Sequence, residues 1–145
     1  MDFLIYTPQD QITYEQKKEV ADFLFEHLDE FGDEHEAIMR CINFAMDEET
    51  KFGGFIVVAK DRDKLTGAVV INKTGMAGYI PENILVYIAV HKDYRGKGLG
   101  KTLMLKTFDK AEGSIKLHVE PNNPARFLYE KLGFTNKYLE MRLTR

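Results

Sequence analysis

The sequence has no tryptophan, one cysteine and four prolines in 145 residues. A single cysteine cannot form an internal disulfide or build a cysteine-rich zinc centre, and no metal is expected. Cys41 lies at helical spacing with Ile38, Ile42 and Ala45. That setting predicts a small buried apolar residue, since a reactive thiol needs activating neighbours. No apolar run reaches the roughly 20 residues of a membrane-spanning helix, so no membrane partner is expected. The opening stretch, MDFLIYTPQD, lacks the basic start and long apolar core of a secretory leader. A cytoplasmic setting is the expectation. There is no positive excess: 20 Lys and Arg stand against 23 Asp and Glu, a formal net charge of −3. Nucleic acid is therefore not an expected partner. Repeats and low-complexity segments are also absent.

What remains is the composition of an ordinary globular protein, 44% hydrophobic and 30% charged. Its length suits one domain over 1–145, with a core that needs no disulfides. Phe3–Tyr6 reads as a first strand. Thr13 and Gln16 form a capping-box pattern ahead of a helix with Val20, Phe23, Leu24, Leu28 and Phe31 on one face. Asp33 and Glu36 repeat the pattern ahead of a second helix. Phe55–Lys60 and Lys64–Asn72 read as strands joined by a turn. Ile84–Val90 is an unbroken apolar run of mostly β-branched and aromatic residues, as in a strand buried on both faces. A helix over about 98–112, a strand at Ile115–Val119, a helix from Pro124 to Gly133 and an alternating strand at Tyr138–Leu143 complete the order β-α-α-β-β-β-α-β-α-β. That order predicts a mixed sheet with helices on both faces. A doubly wound nucleotide fold would begin with its phosphate loop.

The chain is organised around Arg95-Gly96-Lys97-Gly98-Leu99-Gly100-Lys101, placed between the apolar strand and a helix. Glycines let a backbone approach an anion, and the first amides of a helix point at it. Arg95, Lys97 and Lys101 add positive charge. A P-loop would need its first glycine at 95, where arginine stands. A dinucleotide fingerprint would need glycine at 101, where lysine stands, although Glu120 lies at the distance of a ribose-binding acid. A tight strand-to-helix connection with no ligand is the bland alternative.

The loop, following Ile88-Ala89-Val90, resembles the acetyl-CoA pyrophosphate loop of the GNAT superfamily of N-acyltransferases, [RQ]-x-x-G-x-[GA]. A second stretch, NNPARFLYEKLGF over 122–134, is similar to the second GNAT signature, with Asn122, Ala125, Tyr129, Gly133 and Phe134 on matching positions. The resemblance covers about 83–143. It implies an α/β (α+β mixed) fold with a central, mostly antiparallel mixed sheet, helices on both faces, and strands splayed at a CoA cleft. It implies acetyl-CoA as cosubstrate, no metal, and direct transfer of acetyl to an amine through a tetrahedral intermediate. The cofactor-binding residues would be Ile88, Ala89, Val90, Arg95, Gly96, Lys97, Gly98, Leu99, Gly100, Lys101 and Asn122. Tyr129 would be the general acid for the leaving thiolate. Family members often carry a Glu base on the central strand. Here the strand has none, so Glu82, Glu120 or water is the candidate, with Tyr87 as a polar lining group. The acceptor pocket would be lined by 31–36 and 73–83, where Asp33, Glu34, Glu36 and Glu82 suit a cationic amine. A monomer or homodimer is expected. A non-catalytic acyl-CoA sensor is the alternative function.

Overall fold

The computed structural model describes residues 1–47 and 52–145. Its elements are β1 (Asp2–Tyr6), α1 (Tyr14–His27), α2 (His35–Ala45), β2 (Gly54–Asp61), β3 (Lys64–Lys73), β4 (Asn83–Val90), α3 (Leu99–Lys110), β5 (Ile115–Leu117) and α4 (Ala125–Lys131). The sheet runs β1-β2-β3-β4-β5. Its first three pairings are antiparallel and the last, β4 with β5, is parallel. The mixed, mostly antiparallel sheet with helices on both faces is thus the observed architecture.

Alternation along β2 and β3 divides the interior in two. Ile56, Val58, Ala68 and Val70 pack beneath α1 and α2 with Val20, Leu24, Ile38 and Ile42. Val57, Ala59, Val69 and Ile71 pack beneath α3 and α4 with Leu99, Leu103 and Met104. Both strands are buried on both faces, which is why they read as continuous apolar runs.

The helix starts and stops show where local pattern holds. Thr13 Oγ1 accepts from the Gln16 amide and Gln16 Oε1 accepts from the Thr13 amide, the reciprocal cap expected for α1. The apolar stripe continues to Phe31, but α1 stops at His27. Asp29 takes φ +56°, outside helical space, and Asp29–Phe31 forms a single 3-10 turn. At α2 the expected Asp33 cap is not made. Glu34 is the N-cap, no side chain caps the helix, and Asp33 has another partner.

The last expected strand, Tyr138–Leu143, does not form. These residues are in no helix or strand. Tyr138, Leu139, Met141 and Leu143 are 79–89% exposed. Alternation specifies a strand with two different faces but does not specify what it pairs with.

Candidate functional site: a split in the sheet beside a glycine loop

The site hangs on β4. Its ladder with β3 passes from Val70 opposite Tyr87 to Ile71 opposite Leu85, leaving Val86 as the extra residue of a bulge. A bulge bends its strand and re-aims side chains. Here Leu85 packs into the α3/α4 core, while Val86 and Tyr87 both turn to the α1/α2 core. On the other edge, β5 pairs only at Asn83–Ile115, Ile84–Lys116 and Leu85–Leu117. Beyond Leu85 the strands part. The edge of β4 facing β5, from Val86 through Ile88, Ala89 and Val90, has no strand partner among the described residues. This is the splay expected at that place.

The chain leaving β4 makes a 3-10 turn at Lys92–Tyr94 and enters the glycine loop. Gly96 and Gly98 have φ of +76° and +82°. A Cβ at either would meet nothing within 4 Å. Glycine is required there by backbone conformation, and the space above the loop is open. Gly98 is the N-cap of α3 and no side chain caps that helix, so its first amides lack the usual side-chain acceptor. At Gly100 an added Cβ would touch Leu128 of α4 at 3.4 Å. Around the loop lies a depression of about 240 Å³, lined by Val90, Tyr94, the glycines, Lys101 and Leu128.

Arg95, expected among the cofactor-binding residues, has three acceptors within the protein. Its Nε donates to the Val90 carbonyl at 2.9 Å, one terminal nitrogen donates to Asp29 Oδ2 at 3.1 Å, and the other donates to the His27 carbonyl at 2.7 Å. The guanidinium ties the loop to the end of α1. Lys97, with its Nζ 5.8 Å from the centre of the Tyr94 ring, and the exposed Lys101 carry the charge that faces outward.

From the far side, α4 brings in Tyr129. It is 8% exposed and lies in the α3/α4 core, edge-on to Phe134 at 6.0 Å. Burial pushes its phenol up to about 12. Among the described residues its hydroxyl meets no hydrogen-bond partner. The bland role for this side chain, a packed ring with its hydroxyl on a carbonyl, is not what is seen. At that value the phenol is protonated throughout the neutral range.

The α1/α2 face holds a polar group that sequence spacing did not assemble. Tyr87 is 7% exposed, and its hydroxyl donates to Asp33 Oδ2 at 2.6 Å. Burial, then the bond to Asp33, raises the Tyr87 phenol well above its ordinary value, so it is a donor at any working pH. Asn72 Nδ2 donates to Cys41 Sγ at 3.4 Å, and Asn72 Oδ1 is buried with no partner among the described residues. Burial pushes the Cys41 thiol up to about 12, so it is not a thiolate. The two polar residues, Asp33 and Tyr87, are 54 positions apart. The signal that could have joined them is a lone tyrosine in an apolar strand whose hydroxyl must find a partner when buried.

The acetyltransferase (GNAT) domain profile matches residues 52–136. The chain belongs to the GNAT family. It is 32% identical over 85 residues to an N-alpha-acetyltransferase 30 of Schizosaccharomyces pombe, an alignment covering 55% of this chain and 57% of that protein. It is 31% identical over 130 residues to a glucosamine 6-phosphate N-acetyltransferase of Arabidopsis thaliana, covering 85% and 74%. A solved ribosomal-protein-alanine N-acetyltransferase from Brucella melitensis superposes over the whole of both chains with a TM-score of 0.66 at 20% identity, a likeness of fold.

GNAT proteins generally use acetyl-CoA, and the residues present fit it. The free edge of β4 can hold an amide-bearing arm. The uncapped start of α3, the open cradle over Gly96 and Gly98, and Lys97 with Lys101 suit phosphates. The other expected residues fall into two groups. Asn122 is exposed in the turn before α4, and Glu120 is exposed beyond the end of β5. Glu82 sits just before β4, the end opposite Val90, where its carboxylate accepts from the Ser114 amide at 3.3 Å and packs on Gly113. Glu82 braces the turn into β5. Among the described residues no group of three or more His, Cys, Asp or Glu side chains could hold a metal ion, and no helix is long and apolar enough to cross a membrane.

Proposed function

We propose that this GNAT protein is an N-acetyltransferase that moves the acetyl group of acetyl-CoA to a primary amine. The observation that carries the reading is the parting of β4 from β5 after Leu85, with the glycine loop at the open end of the split. Acetyl-CoA supplies an acyl group activated as a thioester. Ile88, Ala89 and Val90 offer backbone along the free edge. The amides at the start of α3, with Lys97 and Lys101, hold the pyrophosphate. Backbone amides of β4 near the split are placed to meet charge developing on the acyl oxygen. Tyr129, kept protonated by burial, gives its proton to the departing sulfur.

The amine acceptor enters from the α1/α2 side. There Asp33, held by the Tyr87 hydroxyl, supplies a fixed negative charge for an ammonium group. An ammonium near its ordinary pKa of about 10.4 must lose a proton before it can attack. With no carboxylate between Ile84 and Val90, that proton leaves through water, and Asp33 is the carboxylate bonded to the middle of β4. The plant and yeast relatives carry names with different acceptors, a sugar phosphate and an α-amine, so the shared part is the amine itself. The missing strand carboxylate is the observation that favours the second reading, a non-catalytic acyl-CoA sensor. Release of free CoA thiol from acetyl-CoA across a panel of amines separates the two. Turnover with any amine supports the transferase. CoA binding with no turnover on any amine leaves the sensor.

A further inference from the structure

A second depression adjoins the one over the glycine loop. It measures about 600 Å³ and is lined by Phe127, Leu128, Glu130 and Lys131 of α4. Leu128 belongs to both linings, and it lies 3.4 Å from where a Cβ on Gly100 would stand. The two depressions meet there, beside the first turn of α3. Phe127, Glu130 and Lys131 stand three and four positions apart, on one face of α4.

Phe127 is 64% exposed. A lone exposed aromatic needs no explanation by itself. Its surroundings here have the outline of a ligand. Arg126 lies 5.6 Å from the ring centre, fixed by Glu130 at 3.3 Å and by the Pro121 carbonyl at 3.3 Å. The rest of the ring is open. Glu130 is matched by Arg126, while Lys131 is exposed and has no ion pair among the described residues. The face therefore offers a flat π surface beside an unmatched positive charge. Tyr94, the other aromatic at the loop, already has its ring engaged. Lys64 and Lys97 lie 5.5 and 5.8 Å from its centre, His91 meets it edge-on, and its hydroxyl donates to Asp61 at 2.7 Å.

We propose that Phe127 is the stacking surface for the adenine of acetyl-CoA and that Lys131 faces its 3′-phosphate, which rests on the reading of the loop as an acetyl-CoA site. In CoA the pyrophosphate joins the acyl-bearing arm to a 3′-phosphorylated adenosine. With the pyrophosphate at the start of α3, the adenosine has to leave the loop over one of its walls. Leu128 and Phe127 form the wall that carries an open aromatic face. A purine stacks on such a face, and the positive charge one helical turn away suits a phosphate. Neither Phe127 nor Lys131 is among the positions that match the second signature, so this grip comes from side chains outside the motif.

The test compares CoA with 4′-phosphopantetheine, which has the arm and one phosphate but no adenosine. Binding of both is measured by calorimetry on wild type and on Phe127→Ala, an exposed position whose truncation leaves the core intact. CoA affinity is expected to fall about tenfold, with phosphopantetheine affinity unchanged. The chain has no tryptophan, so Phe127→Trp gives a single indole at the proposed contact. Its affinity for CoA is expected to match wild type, and its emission to be quenched by CoA and not by phosphopantetheine. Lys131→Gln is expected to weaken CoA a few-fold and to leave dephospho-CoA unchanged. Equal losses for CoA and phosphopantetheine in Phe127→Ala would overturn the proposal, because the ring would then be supporting the loop. Unchanged CoA affinity in that variant, or an indole that CoA does not quench, would place the adenine elsewhere and leave the acetyl-CoA reading standing. Wild type that binds neither compound would overturn both.

Discussion

The two sides of β4 are built from different materials. On the α3/α4 side the proposed cofactor site is backbone: a strand edge without a partner, two glycines with positive φ, and the open start of a helix. On the α1/α2 side the polar group is made of side chains, Asp33 and Tyr87, with Asn72 and Cys41 paired nearby. Backbone groups are the same in every sequence that reaches this fold, so that side suits a ligand common to the family. Side chains differ from one chain to the next, so the other side suits whatever is particular to this protein. Substitutions on the first side should damage every reaction equally, while those on the second should change which amine is used.

Tyr129→Phe is the largest expected break on the cofactor side. It keeps the ring packed against Phe134 and removes only the hydroxyl, which has no hydrogen-bond partner among the described residues. A general acid is typically worth about 10²–10⁴-fold, and a thiolate leaves tolerably without one, so kcat should fall by about a hundredfold. Acetyl-CoA affinity should stay within a few-fold. Because burial holds the phenol near 12, the wild-type rate should show no loss of this proton across pH 7–10. Steady-state kinetics against pH, with CoA affinity measured separately, check both. Loss of CoA binding in place of rate would assign the hydroxyl to the ground state.

Gly98→Val comes next and acts on the same side through the backbone. The position has φ +82° and open space around it, so a side chain meets no clash. Holding a residue with a Cβ in left-handed space costs about 1–2 kcal/mol, which thermal unfolding of the apo protein should show. The same side chain stands in the cradle over the loop. CoA affinity should therefore fall by more than tenfold, about 1.4 kcal/mol, beyond the loss in stability. A folded variant with unchanged affinity would remove phosphate binding from this loop.

The same division explains what could be read from the sequence. Gly96, Gly98 and the apolar run before them are local signals, and the splay after Leu85 was expected from the resemblance they carry. Tyr129 likewise fell on a motif position. Arg95 was legible as a charge but not as a brace, because its three acceptors, on Val90, Asp29 and His27, come from two distant parts of the chain. Asp33 read as a helix cap on local spacing alone, and a buried tyrosine 54 residues later claims it instead. The missing last strand has the same cause. Tyr138–Leu143 carries its own alternation, but pairing is a property of two segments.

Asp33→Asn sharpens the comparison from the acceptor side. The amide keeps an oxygen for the Tyr87 hydroxyl and removes the charge. Hydrogen bonds to charged groups contribute about 1.5–3 kcal/mol against about 0.5–1.5 for neutral ones. The difference corresponds to roughly a tenfold loss of kcat/KM for amines that are cationic at neutral pH, with little change for amines that are not. CoA affinity should not move. Equal losses for both classes of amine would show that Asp33 acts on the fold and not on the acceptor.

The smallest expected effect lies where the two sides meet. His27 ends α1, is 4% exposed, and packs against His91 with ring centres 4.2 Å apart and planes tilted by 37°. Its Nδ1 accepts from the Lys92 amide at 3.4 Å and its carbonyl takes Arg95. Burial first, then the charges of His91, Arg95 and Lys92, lowers the His27 pKa, and Glu26 opposes them. In the unfolded chain the imidazole titrates near its ordinary value of about 6.5. Below that value the unfolded state binds a proton that the folded state still refuses, so stability falls as pH falls. The contribution is complete above about pH 6.5, is lost progressively towards the lowered folded value, and is flat beneath it. His27→Gln keeps an acceptor for the Lys92 amide and cannot be protonated. The variant should be less stable than wild type at pH 8, and the gap in Tm should narrow by pH 5. Affinity for CoA should follow the same narrowing, since Arg95 and Lys92 join this histidine to the loop. A gap in Tm that is constant from pH 8 to pH 5 would show that His27 contributes packing alone.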